Sequence, residues 1–382
     1  MATLPFIYLD HAAATPLDER VLAAMQPYFS EQFFNPSATY LAAKNVARKL
    51  GEARGDVAHW LGARSSEIIF TAGGTEANNL AIDGIMRQFP DGNIVVSAIE
   101  HESVLAPARQ YNCREVGVLP DGTIDLAALE QAIDNNTVLV SVMYANNEIG
   151  TVQPLKDVAR IIHEKRVARL NRSGGQPLYF HTDACQAANY LDLHVTRLGV
   201  DLMTLNGGKI YGPKQSGALF VSAQVHLQPS ILGGGQERNL RSGTENVAAC
   251  IGFATALTLV QEARHNEVKR LQLLQHDFFT ALLAAVPNLA INGSQKRRLP
   301  NNVHVTIPGH DNERLLMQLD EAGILAAAGS ACSASDEEPS HVLRAIGLDD
   351  AAAQASLRFT MGHGTVAQDI DKTIAALRSF VV

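Results

Sequence analysis

The chain of 382 residues is 46% hydrophobic and 18% charged, long enough for roughly two to three ordinary domains around a substantial buried core. Its 31 Lys and Arg stand against 39 Asp and Glu. The formal net charge of -8 therefore lacks the positive excess that holds a polyphosphate backbone, and nucleic acid is not expected as a main ligand. The four cysteines, Cys113, Cys185, Cys250 and Cys332, show no CxxC or Cys/His spacing of the kind that makes a zinc site or a disulfide framework, which fits a reducing compartment. The first residues, MATLPFIYLDHAAATP, lack a basic stretch followed by a long apolar one, and no run approaches the ~18 apolar residues that span a bilayer. A cytoplasmic chain with no membrane partner is expected.

In chain order, the intervals of three and four among Val46, Leu50, Ala53, Val57 and Leu61 predict a helix with one packed face. Strands are predicted at 67–70, 93–99, 137–145, 178–184, 200–206 and 217–222. Several are apolar on both faces, as strands buried between two helical layers must be. The segment 171–177, NRSGGQP, reads as a surface loop. After the Gly-rich stretch 233–246, a long helix is predicted over 247–286 as a bridge. Beyond it follow a strand (VHVTIP), a helix (NERLLMQLDEAG), a short strand, a loop, a helix (SHVLRAIG), a strand (ASLRFTMG) and a terminal helix, a smaller α+β unit.

Four places along this chain carry chemistry. In FTAGGTEANN a strand ends in Gly73 and Gly74 and a helix starts at Thr75 or Glu76, so free backbone N–H groups point at an anion; an ordinary helix cap is the competing reading. Asp183 ends a run of apolar and aromatic residues, where open α/β sheets bind ligands, with Gln186 one helical turn on; a plain cap competes here too. Lys209 follows a buried strand within NGGKIYGPK. A lysine there can be desolvated into a neutral amine and form a Schiff base with an aldehyde cofactor, or simply pair with a carboxylate. Cys332 lies in GSACSASDEEPS, which offers almost nothing to bury, and a thiol on such a loop can act as a thiolate. Cys185 and Cys250 read as inert small hydrophobes.

Ten motifs in order, among them LDHAAATP, FNPS, GGTEANN, EHESVLAP, NNEIGTVQP and DACQ, then KIYGPK, GGGQERNLRSGTEN, GSACSAS and SLRFTMG, give an end-to-end resemblance to the cysteine desulfurases of the NifS/IscS type, class V aminotransferase-like enzymes of PLP fold type I. The resemblance implies an α/β fold: a large PLP-binding domain over 16–258 with a mainly parallel seven-stranded sheet, and a small α+β domain from 1–15 and 259–382 that carries the cysteine loop. It implies pyridoxal 5'-phosphate (PLP) as cofactor, L-cysteine as substrate, L-alanine as product and sulfur left as a persulfide on Cys332. Lys209 would carry the cofactor, Asp183 would pair with its ring nitrogen, Gln186 would donate to its ring hydroxyl, and His101 would stack on the ring and share in proton transfer. Gly74 and Thr75 would hold the phosphate, Asn147 would touch cofactor and substrate, and Arg358 would clamp the substrate carboxylate through its planar fork. Thr244 would reach the phosphate of a neighbouring subunit, implying a homodimer. A scaffold or carrier protein would accept the sulfur for iron-sulfur cluster assembly or tRNA thiolation.

The chain departs from that pattern at three places. Asn206, Gly207 and Gly208 stand where relatives carry Ser-x-His before the lysine, so two usual phosphate donors are missing and Asn206 would have to substitute through its amide. Gln215 replaces the glycine of GPKG, and Tyr40 a histidine after NPS. A selenocysteine lyase or class V aminotransferase is the second reading, and a non-catalytic assembly protein the third.

Overall fold

The computed structural model describes residues 6–171, 176–329 and 339–381. Seven strands form the main sheet: β2 (Ile68–Thr71), β3 (Asn93–Ser97), β4 (Asn112–Val116), β5 (Thr137–Ser141), β6 (Tyr179–Asp183), β7 (Leu202–Asn206) and β8 (Gly217–Val221). Their spatial order is β2-β8-β7-β6-β5-β3-β4, and only β8 runs against the rest. Alternate residues point to the two faces of this sheet. Val95, Val140 and Phe220 face the helices Leu41–Leu61, Leu155–Leu170 and the first half of Val247–Ala285, whereas Ile94, Leu139 and Leu219 face Gly74–Met86 and Glu102–Ala108. Burial on both sides explains why these strands read as continuous apolar runs.

A second core lies around a three-stranded antiparallel sheet, β9 (Ala290–Ile291), β10 (Asn302–Thr306) and β12 (Ser356–Thr360), in the order β12-β10-β9. Two short strands, β1 (Ile7–Tyr8) and β11 (Ile324–Leu325), pair parallel beside it, and Asp10 bridges to Thr360, so the N-terminal segment packs with the C-terminal third. The 39-residue helix Val247–Ala285 serves both cores: Val260 packs in the first, Leu271 and Phe278 in the second.

Several expectations shift in detail. The strand predicted over 137–145 ends at Ser141, and the strand β4 was not predicted. The predicted 3.6-residue stripe forms the longer helix Leu41–Leu61, closed by Gly62 in the left-handed region. The loop expected at 171–177 lies partly outside the described residues. No described helix is long and apolar enough to cross a membrane.

Candidate active site

Five connections leave the carboxyl ends of β2, β3, β5, β6 and β7 on the same edge of the sheet, where open α/β sheets bind ligands. They deliver Gly74 and Thr75, His101, Asn147, Asp183 and Lys209 into one cleft, and Arg358 enters it from β12. An adjoining cleft shares Gly74, Thr75, Asn206 and Lys209 and is completed by Gly208 and Lys214.

The helix after β2 starts at Gly74, one residue earlier than expected, with Gly73 as its cap at φ 131°. A side chain at Gly74 would meet Cys185 Sγ at 2.8 Å, so this backbone can approach a ligand only because it is bare. After β7 the chain tightens into the 3-10 turn Gly207–Lys209. A Cβ at Gly207 would collide with Ser216 Oγ, which fixes the glycine before the lysine turn. Asn206 accepts from Gly208 N at 3.0 Å through Oδ1, which leaves only its NH2 group for any anion. Lys209 Nζ donates to the carbonyls of Ala12 (2.9 Å) and Ala13 (2.6 Å), and Gln186 Nε2 donates to the same Ala12 carbonyl at 3.0 Å. Thr15 donates from both N and Oγ1 to Gly208 O, clamping the LDHAAATP segment onto the lysine turn.

Asp183 accepts from Asn78 Nδ2 (2.7 Å) and from Cys185 N (2.9 Å), and residues 185–190 form turns, so neither the helix expected to carry Gln186 nor a helix cap at Asp183 is present. His101 caps the helix Glu102–Ala108: its Nδ1 accepts from Ser103 N at 3.0 Å and meets Ser103 Oγ at 2.8 Å. Arg358 is 1% exposed. Its Nη2 pairs with Asp10 Oδ1 (2.7 Å), its Nη1 donates to Asn147 O (3.0 Å), and its Nε has no partner among the described residues. Among the described cysteines, burial pushes the Cys185 thiol well up and Cys250 up to about 12, so neither is poised as a thiolate; half-buried Cys113 is pushed up to about 11.

One expected site residue among the described ones lies in neither cleft. Thr244 is exposed elsewhere on the chain. Cys332 lies outside the described residues. The described neighbours of that segment both meet Glu148, the residue after Asn147: Ser340 Oγ donates to Glu148 Oε2 at 2.6 Å, and a Cβ on Gly329 would lie 3.5 Å from the same oxygen. Asn78, Ser103, Asp10 and the Ala12 and Ala13 carbonyls were not singled out in the sequence. Of these, Asn78 left a signal, a polar residue on the buried face of a helix with Ile82 and Ile85.

The class V aminotransferase family model matches residues 7–373. A cysteine desulfurase IscS of Dictyoglomus turgidum is 38% identical, over 98% of this chain and 94% of its own length. Cysteine desulfurase IscS 1 of Archaeoglobus fulgidus is 40% identical, over 97% and 95%. The chain belongs to the cysteine desulfurases of the IscS/NifS type. Solved structures agree: a NifS-like protein superposes with a TM-score of 0.90 at 29% identity, over 98% of this chain and 99% of its own. A NifS-like protein from Rickettsia africae does so with a TM-score of 0.87 at 32%, over 98% and 99%. These enzymes depend on PLP and mobilise sulfur, and the mixed α/β fold with a mostly parallel large sheet is theirs.

Proposed function

We propose that this cysteine desulfurase binds PLP in the cleft at Lys209 and converts L-cysteine to L-alanine, leaving the sulfur as a persulfide on Cys332. One observation carries the reading: an amine, a buried carboxylate, an imidazole and a buried guanidinium, from four distant stretches of chain, line the same cleft. The residues fit the cofactor. Gly74 offers bare backbone at a helix start, Asp183 faces the cleft as an acceptor, and Arg358 keeps an unpartnered Nε for a second anion. When bound, PLP supplies the electron sink that lets the substrate's Cα–H and Cβ–S bonds break.

The chain's own residues do the rest. Lys209 Nζ anchors the aldehyde, and Asp183 holds a proton on the ring nitrogen. Gly74, Thr75 and the Asn206 amide hold the phosphate, Gln186 the ring hydroxyl, and Gly208 leaves the cradle open. Arg358 and Asn147 orient the substrate carboxylate, while Lys209 Nζ and His101 are placed to move protons. The Cys332 thiolate attacks the substrate sulfur: the new S–S bond forms as the Cβ–S bond breaks, its electron pair passes to the substrate carbon, and a proton completes the alanine methyl group. We place the division of the chain at 16–258 against 1–15 with 259–382, with its boundary inside the helix Val247–Ala285 that serves both cores. We further propose a cytoplasmic homodimer in which exposed Thr244 reaches the partner's phosphate, and a carrier or scaffold protein as sulfur acceptor.

The test is Cys332→Ser. This variant is expected to bind PLP and show the cysteine-induced change in absorbance, yet release almost no sulfide under reductant. Mass spectrometry of the wild-type protein after cysteine should find one added sulfur on the Cys332 peptide. Wild-type turnover by Cys332→Ser, or the sulfur on Cys113, Cys185 or Cys250, would overturn the persulfide assignment in favour of a lyase or aminotransferase.

A further inference from the structure

Behind the cleft, Asn78 of the helix Gly74–Met86 is fully buried. Its Nδ2 makes two bonds, to Asp183 Oδ2 at 2.7 Å and to Ser103 Oγ at 2.8 Å, which uses both hydrogens of the amide. Its Oδ1 has no partner among the described residues. An orphaned buried carbonyl is destabilising, so an asparagine stays in an otherwise apolar helix face at a penalty that only its two donations offset. The reversed amide would turn Oδ1 on the Asp183 carboxylate, oxygen against oxygen.

The direction of every hydrogen in this chain of bonds follows. Ser103 Oγ accepts from Asn78, so its own hydrogen is free to go to His101 Nδ1, 2.8 Å away. The Ser103 backbone N–H can only donate, and it too points at Nδ1. Two donors converge on Nδ1, so that nitrogen carries a lone pair and the neutral ring carries its hydrogen on Nε2. The run is Asp183 from Asn78, Asn78 to Ser103, Ser103 to His101, crossing from β6 through two helices to the residue that caps the second of them.

We infer that Asn78 is a positioning residue that couples Asp183 to His101, fixing the carboxylate with one hydrogen and, through Ser103, the Nε2–H form of the imidazole with the other. The inference rests on the proposed function for the roles of Asp183 and His101. It adds that both groups are set by one amide, and that His101 presents a hydrogen-bond donor to the cleft in its neutral state. A glutamine at 78 would be one methylene too long, an aspartate would oppose Asp183, and a leucine would match the shape while donating nothing.

The experiment is nitrogen NMR on protein carrying 15N-labelled histidine, with and without PLP, the His101 signals being assigned through His101→Gln. In the wild type, His101 is expected to show an unprotonated Nδ1 and a protonated Nε2. Ser103→Ala, which cuts the run while leaving Asn78 on Asp183, should move the His101 shifts toward those of two interconverting tautomers and change PLP affinity by less than about threefold. Asn78→Leu should do the same to His101 and also weaken PLP about tenfold, as expected for one lost bond to a charged group. His101 shifts unchanged in both variants, or a protonated Nδ1 in the wild type, would overturn the coupling. Should PLP fail to bind the wild-type protein, the cofactor reading falls while the His101 shifts still decide the coupling, so the two failures are distinct.

Discussion

At the Asp183 end of the cleft, side chains satisfy one another: Asn78, Ser103 and His101 form a continuous run of bonds onto the carboxylate. At the Gly208 end the backbone does the work. Gly74 and Gly208 have no side chains, the Asn206 oxygen is spent on Gly208 N, and Thr75 is exposed. A fixed network of buried polar groups holds atoms in place where a proton or an electron pair must be controlled. A dianion such as phosphate needs less: any set of N–H dipoles near a helix start lowers its energy, and small residues let it come close. Side-chain loss is therefore tolerable at one end of the cleft and not at the other.

The largest expected effects fall at the cofactor lysine and at the wired end. Lys209→Ala should lose the cofactor that borohydride fixes to the chain, and Asp183→Ala should weaken PLP by roughly a hundredfold, since a charge-assisted bond in a buried site contributes ~3 kcal/mol. Titration of PLP absorbance against each variant checks this. An undiminished borohydride adduct in Lys209→Ala would remove that lysine from its role.

A second consequence of burial is read by pH. His181, two residues before Asp183, has no solvent exposure and spans β5 to β7, with Nδ1 at 2.8 Å from Ser141 Oγ and Nε2 at 3.0 Å from Thr204 Oγ1. Burial pushes it down from 6.5 to about 4. The unfolded chain takes this proton near 6.5 and the folded chain only near 4, so between those values the unfolded state binds more protons. Stability present above pH 6.5 is thus lost as pH falls through the window, by ~1.4 kcal/mol per unit for this ring. His11 is pushed down to about 4 and works in the same direction, whereas Glu100, raised by burial, opposes it. Urea denaturation of the wild type and His181→Leu at pH 5, 6 and 7 separates the contribution: the variant should have a shallower slope of stability against pH. Identical slopes would mean that His181 takes its proton at the same pH in both states.

What could be read from the sequence follows the same division between buried runs and contacts made in space. The strands at 93–97, 179–183 and 202–206 were legible because both faces are buried, and Asp183 and Lys209 because each closes such a run. The strand β4 was missed because it is the edge of the sheet: Arg114 and Glu115 sit in it, and only Val116 is buried. The partners of Lys209 were illegible for another reason. They are carbonyls of Ala12 and Ala13, nearly two hundred residues away, and a backbone oxygen has no sequence signature. Most site roles came from the family resemblance, with spacing alone leaving a helix cap or an ion pair as competing readings.

At the bare end, expected effects are smaller and of opposite sign. A Cβ built on Gly208 meets nothing closer than Asn206 Oδ1 at 3.5 Å and Lys214 Cγ at 3.6 Å, so a side chain fits there. Asn206→Ser with Gly208→His, restoring the donors of the relatives, should tighten PLP about tenfold, from one neutral and one charge-assisted bond less the cost of ordering the new side chains. Unchanged affinity would show that Gly74, Thr75 and the Asn206 amide already saturate the phosphate.

The smallest expected effect is at Gln215, which stands at φ 59°, in the left-handed region where relatives have glycine. That backbone costs a residue with a Cβ roughly 1–2 kcal/mol, whereas glycine gives the unfolded chain extra freedom worth about 0.4–1 kcal/mol. The difference favours Gln215→Gly by roughly 0.5–1 kcal/mol. Because the Gln215 side chain is exposed and makes no hydrogen bond among the described residues, little is lost by removing it. The urea midpoint should rise slightly at an unchanged slope, and PLP affinity should stay within about twofold, since no hydrogen bond to a charged group is lost. A lower midpoint would mean that the glutamine contributes more by packing than its backbone costs. A marked loss of PLP would mean that the exposed amide reaches the phosphate, and the bare end of the cleft would then have one more side-chain donor than its turn supplies.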